Sequence, residues 1–371
     1  MSSHPSTPGV LLFGYEASTF TIKIRHCLRL KQIPYAFIPV PSMLPRPLLT
    51  KTFGLTYRKI PVLAIGRDIY CDTSLITEAL EYFFSESEGY GALYPRATDG
   101  RDHKGLVRGW ASYWTDRALF RVTTGLIPAA VWRTHFGIDR ANLIGHPLDA
   151  DKLEAKVPEN LARLDTQLSI LEPQFTDLGE GWIFSTPSPS LADISLFYQL
   201  QWGSDIAKGR LIGNLTAGGT SDTAADGADA VFNAQRYPGL WAWYERLERF
   251  MERLPDVERK NAEWEGVLKS LQEAPALGRK SLLLPTPRKG HVELDEKCGL
   301  GEGAVVSIAP DDTGRSSPTI GKIVALSPEE VVITPVELKD GPPEVAVRIH
   351  FPRVGFTIRP YQANREATAK L

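Results

Sequence analysis

Apolar residues fall into three patterns along the chain. Up to about residue 95, short apolar runs alternate with helical stripes. Residues 10–13 form a run of the kind that buried strands show. Over 19–32, Phe20, Ile24, Cys27 and Leu28 recur at helical spacing, while Lys23, His26 and Arg29 lie off that stripe. This predicts an amphipathic helix with His26 in solvent. Residues 35–40, fenced by Pro34 and Pro41, predict a second strand, and the Pro-broken stretch 45–57 leaves room only for a short helix. Residues 62–65 and 69–71 predict a hairpin across Gly66-Arg67-Asp68. Asp72 or Thr73 then opens a helix with Ile76, Leu80 and Phe83 on one face.

The next zone, about 100–275, carries almost no strand signal. Residues 104–133 predict an aromatic-rich helical stretch, and Leu161, Leu164, Leu168, Leu171 and Phe175 step by three and four behind Pro158. Leu240, Trp243, Tyr244, Leu247, Met251 and Leu254 form another stripe. The Gly/Ala/Thr/Asp-rich stretch 209–229 predicts a mobile loop. In the third zone Val345, Val347, Ile349 and Phe351 alternate with Ala346, Arg348 and His350, the mark of a half-buried strand. Residues 322–326 and 331–334 flank a Ser-Pro-Glu-Glu turn, and 305–309 and 356–359 complete four or five antiparallel strands. This divides the chain into a mixed unit over 9–95, an all-helical unit over 100–275 and a small β unit over 285–365, with 275–290 as linker.

Length and composition narrow the class. The chain has 371 residues, 43% hydrophobic and 23% charged, enough for two or three domains with full-sized cores. The 42 basic and 44 acidic residues give a net charge of −2, so no overall footprint for nucleic acid or an anionic membrane exists. No apolar run reaches the ~18 residues of a membrane span, and the N-terminus lacks the pattern of a secretory signal. Cys27, Cys71 and Cys298 are odd in number and far apart, which fits neither a disulfide framework nor a metal site. These features point to a reducing, cytoplasmic location.

Three motifs occur in order: Tyr15-Glu16-Ala17-Ser18-Thr19-Phe20-Thr21-Ile22-Lys23-Ile24-Arg25, Lys59-Ile60-Pro61-Val62-Leu63 and Asp72-Thr73-Ser74-Leu75-Ile76. Together with Ser190-Leu191-Ala192-Asp193 in the helical zone, they resemble the glutathione S-transferase superfamily over about residues 9–270. The string over 57–73 is similar to a fungal branch of such proteins that carries a C-terminal β extension. The resemblance implies an α/β thioredoxin-like domain followed by an all-α helical domain. The C-terminal unit resembles a small SH3-like β-barrel, for which docking or protein contact is the expected role.

Glutathione is the implied substrate or cofactor, with no metal, and the implied partner molecule is a small electrophile. Glutathione chemistry needs a thiolate, and a free thiol with a pKa of ~8.5 is mostly protonated at neutral pH. A hydroxyl donor and a helix N-terminus favour the anion. By resemblance Ser18 holds that activating position; from the residues alone it reads equally as a helix N-cap. Thr19 stands where many relatives have proline. Tyr15, the competing hydroxyl, reads as a strand-end core aromatic. A cis bond at Pro61 would turn the Ile60 backbone toward an extended peptide, which could pair as an added strand; otherwise Pro61 simply begins a strand. Lys59 would face the glycine carboxylate or else lie in solvent. Asp72 and Thr73 would hold the γ-glutamyl end or form a plain cap, and most relatives have Glu-Ser there.

Trp110, Tyr113, Trp114 and Arg117 lie at i, i+3, i+4 and i+7, so a regular helix puts them on one face, as an acceptor site or as interface core. Ser190 and Asp193 form an Asp variant of the capping box, a structural feature. The leading expectation is an enzyme that adds glutathione to an apolar electrophile or isomerises with it. The alternative is a non-catalytic transferase-fold binding or assembly module. A third reading, thiol exchange at Cys27 or Cys71, is disfavoured because both lie at apolar positions. Relatives often form homodimers, which the C-terminal extension could support or block.

Overall fold

The computed structural model describes residues 9–220, 227–260, 263–274, 282–336 and 341–361. The first unit runs β1 (Val10–Gly14), α1 (Thr19–Lys31), β2 (Tyr35–Pro39), α2 (Pro47–Phe53), β3 (Val62–Ile65), β4 (Asp68–Cys71) and α3 (Thr73–Phe83). Each short apolar run became a strand, and Pro47 opens α2 in the first-turn position that proline tolerates. β1 pairs parallel to β2 and antiparallel to β3, and β3 antiparallel to β4. Phe13 lies opposite Val62, and Val62 opposite Cys71. The end of β1, the start of β3 and the end of β4 therefore meet at one end of the sheet. Ser18, Pro61 and Asp72 sit just beyond those three strand ends.

The helical half starts with α4 (Lys104–Gly109), a π-helical segment Trp110–Leu119 and α5 (Phe120–Thr124). Then follow α6 (Ala129–Trp132), α7 (His135–Ile144), α8 (Ala150–Ala155), α9 (Val157–Leu178), α10 (Leu191–Ala207), α11 (Ile212–Leu215) and α12 (Pro238–Arg253). The stripes predicted on α9 and α12 face each other: Phe175 and Trp243 meet edge to face at 5.0 Å. The described part of 209–229 is not a loose loop throughout. Ile212 and Leu215 are buried against Ala17 and Trp202, and this packing orders α11 where composition alone suggested mobility. Residues 221–226 of that stretch lie outside the described residues.

α10 is buried from Leu191 to Leu200 and begins at the predicted capping box. The Asp193 carboxylate accepts from the Ser190 amide (2.9 Å), the Ser190 hydroxyl (3.0 Å), the Ile183 amide (3.1 Å) and the Trp243 indole N–H (3.0 Å). Asp193→Asn turns one acceptor oxygen into a donor facing donors. We expect a loss of ~1–2 kcal/mol in denaturant unfolding, with glutathione binding by the folded fraction unchanged.

After α12 the chain returns to the first unit. β5 (Glu258–Arg259) pairs parallel to β2, and α13 (Trp264–Glu273) lays Leu271 into the core beneath the sheet. The linker predicted at 275–290 lies partly outside the described residues. After it come α14 (Val292–Lys297) and five strands: β6 (Val305–Pro310), β7 (Thr319–Leu326), β8 (Glu330–Pro335), β9 (Arg348–Pro352) and β10 (Phe356–Pro360). These strands do not stand apart. β9 pairs parallel to β4, giving one ten-stranded sheet in the order β10-β6-β7-β8-β9-β4-β3-β1-β2-β5. Val306, Ile308, Ile323, Val331 and Phe351 share a continuous core with Phe13, Phe53 and Val62. β9 also closes the edge that β4 would otherwise expose.

The predicted alternation at 345–351 reports burial rather than pairing. Val345 and Val347 are buried, but the ladder begins only at Arg348, and the Val345 amide instead bonds Thr52 O at 3.1 Å. His350, on the expected polar face, is fully buried because β4 and the Tyr70 ring cover it. His26, expected in solvent, is half-buried and lies 2.8 Å from Gln201 Oε1. Lys23 is likewise buried.

Candidate functional site

Ser18 caps α1: its Oγ accepts from the Thr21 amide at 3.3 Å, and its side chain is buried. The first amides of that helix, Thr19 and Phe20, have no partner within the helix. The loop before Ser18 is clamped by the helical half. The Ala17 amide donates to Asn214 Oδ1 at 2.8 Å, and the Trp202 indole N–H donates to Ala17 O at 3.1 Å. Tyr15 is half-buried, and its hydroxyl accepts from Arg140 at 3.2 Å.

The Ile60–Pro61 bond is cis. Ile60 is buried, yet neither its N–H nor its C=O takes part in a hydrogen bond among the described residues. Buried backbone groups are nearly always paired, so this is a reserved edge.

Asp72 has φ +71°, a left-handed conformation uncommon for a residue with a side chain, at the tight turn into α3. Its Oδ1 accepts from the Ser74 amide (3.0 Å) and the Ser74 hydroxyl (2.6 Å), so its carboxylate is committed to capping. Thr73 is buried and donates its hydroxyl to Asp116 Oδ2 at 3.1 Å. Lys59 is half-buried, and its Nζ lies 2.5 Å from Asp312 Oδ1, on the loop between β6 and β7.

The aromatic face predicted on residues 110–117 is split. Trp110 donates its indole N–H to Ala192 O (3.1 Å) and Trp114 donates to Gln167 Oε1 (2.6 Å), so both turn into the helical core, where their rings meet edge to face at 4.3 Å. Tyr113 and Arg117 are exposed instead, with the guanidinium 5.4 Å from the Tyr113 ring centroid. The π-helical winding explains the split: bonds from i to i+5 widen the turn, so residues three apart no longer stack. Tyr113 and Arg117 line a cleft of about 270 Å³ with Ser74, Glu329, Pro352 and Val354. The C-terminal strands thus supply one wall of it.

Asp116, Asn214, Trp202 and Asp312 were missed by sequence reasoning. Only Asp116 left a signal, as the sole acid between Lys104 and Arg121. The two buried thiols are held protonated: burial pushes Cys27 up to about 12 and Cys71 well above its ordinary value. Among the described residues no group of three or more His, Cys, Asp and Glu could hold a metal ion, and no helix is long and apolar enough to cross a membrane.

Residues 12–88 match the family model described as "Glutathione S-transferase, N-terminal domain", and residues 124–217 match "Domain of unknown function (DUF7962)". A GST-like protein from Pseudomonas syringae has the same fold, with a TM-score of 0.60 at 22% identity over 95% of this chain and 100% of that one. Residues 12–88 thus resemble the N-terminal domain of glutathione S-transferases in sequence, and the whole chain shares the fold of a GST-like protein. A probable glutathione S-transferase of Solanum tuberosum is 30% identical over 127 residues, 34% of this chain. The match spans about half the length of that curated relative, 50% of it. Rice GST1, solved in complex with glutathione, aligns at a TM-score of 0.42 and 19% identity over 72% of this chain and 96% of that one. None of these matches bears on the similarity to a fungal branch. The thioredoxin-like half and the helical half follow the order of that fold, and a strand-rich C-terminal region extends the sheet.

Proposed function

We propose that the protein is a glutathione-dependent transferase, with the tripeptide bound at the shared end of β1, β3 and β4. The single observation that carries this reading is the buried, unpaired Ile60 backbone at a cis proline. An extended peptide satisfies both Ile60 groups as an added strand. Its sulfur then falls beside the Ser18 hydroxyl and the open amides of α1, where donors and the helix dipole favour the thiolate. Asp72 and Thr73 hold the γ-glutamyl end, and Lys59 lies at the glycine end. An electrophilic, largely apolar acceptor lies against Tyr113 and Arg117. The sulfur bonds to an electrophilic carbon to form a thioether, with the adjacent carbon taking up a proton or, on an aryl halide, with halide leaving; or it adds and leaves again, isomerising a double bond. Rate comes from ionisation and positioning.

Lowering a thiol pKa from ~8.5 by about two units raises the thiolate fraction at pH 7 roughly twentyfold. Ser18→Ala is therefore expected to cut turnover with an aryl halide by about an order of magnitude, while calorimetric glutathione affinity stays within about twofold. Unchanged turnover removes Ser18 from this role.

The second reading, a non-catalytic binding module, draws on two ion-binding groups already in use: Asp72 caps its own helix, and Lys59 is paired with Asp312. Titration with glutathione separates the two, because a pure scaffold releases no binding heat.

A further inference from the structure

Four charged side chains meet at the Lys59 end of the site: Lys59 from the first unit, Arg117 from the helical half, and Asp311 and Asp312 from the C-terminal strands. Lys59 Nζ is 2.5 Å from Asp312 Oδ1, and Arg117 is 3.9 Å from Asp311 Oδ1. The nearby Arg58 is taken by Asp139 at 3.0 Å. Lys59 and Arg117 thus each face a carboxylate, while the Arg315 guanidinium donates to Asp311 O, so the Lys59 ammonium is already engaged by Asp312.

The loop that brings the acids is fixed in place. The Asp311 amide bonds Gly355 O at 2.9 Å, and the Gly314 amide bonds Leu143 O, on α7, at 2.7 Å. Gly314 has φ +80° and approaches Leu143 and Arg58 closely, a turn suited to glycine. Asp312 Oδ1 also accepts from the Thr313 amide at 2.6 Å, which orients the carboxylate on Lys59. Burial would raise the Asp312 pKa, but the Lys59 charge and hydrogen bond outweigh it and hold the carboxyl below its ordinary value.

We propose that Asp312 is a specificity-determining residue: by occupying Lys59 it disfavours a free carboxylate at that end of a bound γ-glutamyl-cysteinyl peptide and admits an uncharged amide or ester end. This rests on the placement of Lys59 proposed above. A free acid has to displace Asp312 from Lys59 and then face the carboxylate it has freed; a neutral end leaves the pair intact.

The test is calorimetric titration of the full chain and its Asp312→Asn variant with glutathione and with glutathione glycine-monoethyl ester. The wild type is expected to bind the ester at least as tightly as the acid. The variant is expected to gain about three- to fivefold for the acid, in line with a half-exposed ion pair, and to change less than about twofold for the ester. Lys59→Ala in the variant background is expected to remove the gain. An acid-to-ester ratio equal in both proteins overturns the role of Asp312 and leaves the site standing. Absence of binding by either ligand to both proteins overturns the site as well. Melting curves identify a variant that fails to fold, and in that case Asp312→Ser replaces it.

Discussion

His350→Ala is expected to unfasten the C-terminal strands from the first unit, at a cost of about 3–5 kcal/mol. The imidazole is fully buried where β9 meets β4. Its Nδ1 lies 2.6 Å from Glu330 Oε1 and its Nε2 lies 2.9 Å from Asp68 Oδ1. Both ring nitrogens face carboxylate oxygens, so both carry protons and the ring is a cation. Burial alone would push His350 toward neutrality, but its hydrogen bonds to Asp68 and Glu330 and their charges outweigh this and raise its pKa. Arg348 adds a second cation, 2.7 Å from Asp68 Oδ2, and the Leu284 amide donates to Glu330 Oε2 at 2.8 Å. Removing the ring leaves Asp68 with Arg348 but leaves Glu330 buried with one amide and no countercharge.

The pH dependence follows from the two shifts. The His350 contribution is fully present below the ordinary imidazole value of 6.5 and is lost as pH rises through the raised value in the folded protein. For Asp68, burial would raise the pKa, but hydrogen bonds from His350 and Arg348 outweigh it and lower it. Its contribution is fully present above 3.8 and is lost as pH falls through the lowered value. Docking of the C-terminal strands is therefore strongest between those limits and weakens as pH rises through the raised His350 value. Limited proteolysis and denaturant unfolding at pH 6 and pH 9 check this. His350→Ala should be cleaved faster between α13 and β6 and should lose the pH difference. A variant within about 1 kcal/mol of wild type, with the pH slope intact, would falsify the ionic bolt.

The elements decided by local pattern were legible in the sequence. The apolar runs at β1 and β3, the stripes on α9 and α12 and the hairpin into β4 need only neighbours a few residues away. The cis proline and the two helix caps became legible through the order of three motifs rather than through any one of them. The readings that failed depend on partners distant in sequence. Lys23 is placed correctly on the polar side of α1, but that side is covered by Asp116, 93 residues away. His350 sits on the polar face of β9, yet Asp68, 282 residues earlier, turns that face into an interior. Trp110 and Trp114 were grouped with Tyr113 and Arg117 because a regular helix was assumed, and the π-helical winding removes that grouping. The Gly-rich stretch around Asn214 carries no pattern of its own, since its order comes from packing on Ala17 and Trp202. Asp312 lies in a polar loop whose position depends on β9 joining β4, a pairing that alternation cannot express.

Asp116→Ala is expected to destabilise the protein by about 3–5 kcal/mol and to disable the γ-glutamyl end of the site. Asp116 joins three elements. Its Oδ2 accepts from Lys23 Nζ at 2.6 Å and from the Thr73 hydroxyl at 3.1 Å, and its Oδ1 accepts from the Tyr198 hydroxyl at 2.6 Å. The Lys23 side chain is 1% exposed, so deleting the carboxylate strands an ammonium in the interior. Thr73 loses the acceptor that fixes its hydroxyl, which in wild type is spent on Asp116 and leaves only lone pairs for a ligand. Asp116 is thus a positioning residue, and stability and site effects need separating. Lys23→Met/Asp116→Asn removes both charges together, so most of the folding loss should be recovered. In the proposed enzyme that double variant should keep kcat within about threefold while KM for glutathione rises about tenfold, because the amide offers the Thr73 and Tyr198 hydroxyls one acceptor oxygen in place of two. Asp116→Ala unfolding within about 1 kcal/mol of wild type would sink the buried-pair argument. A double variant with wild-type KM would confine Asp116 to folding and detach it from the site.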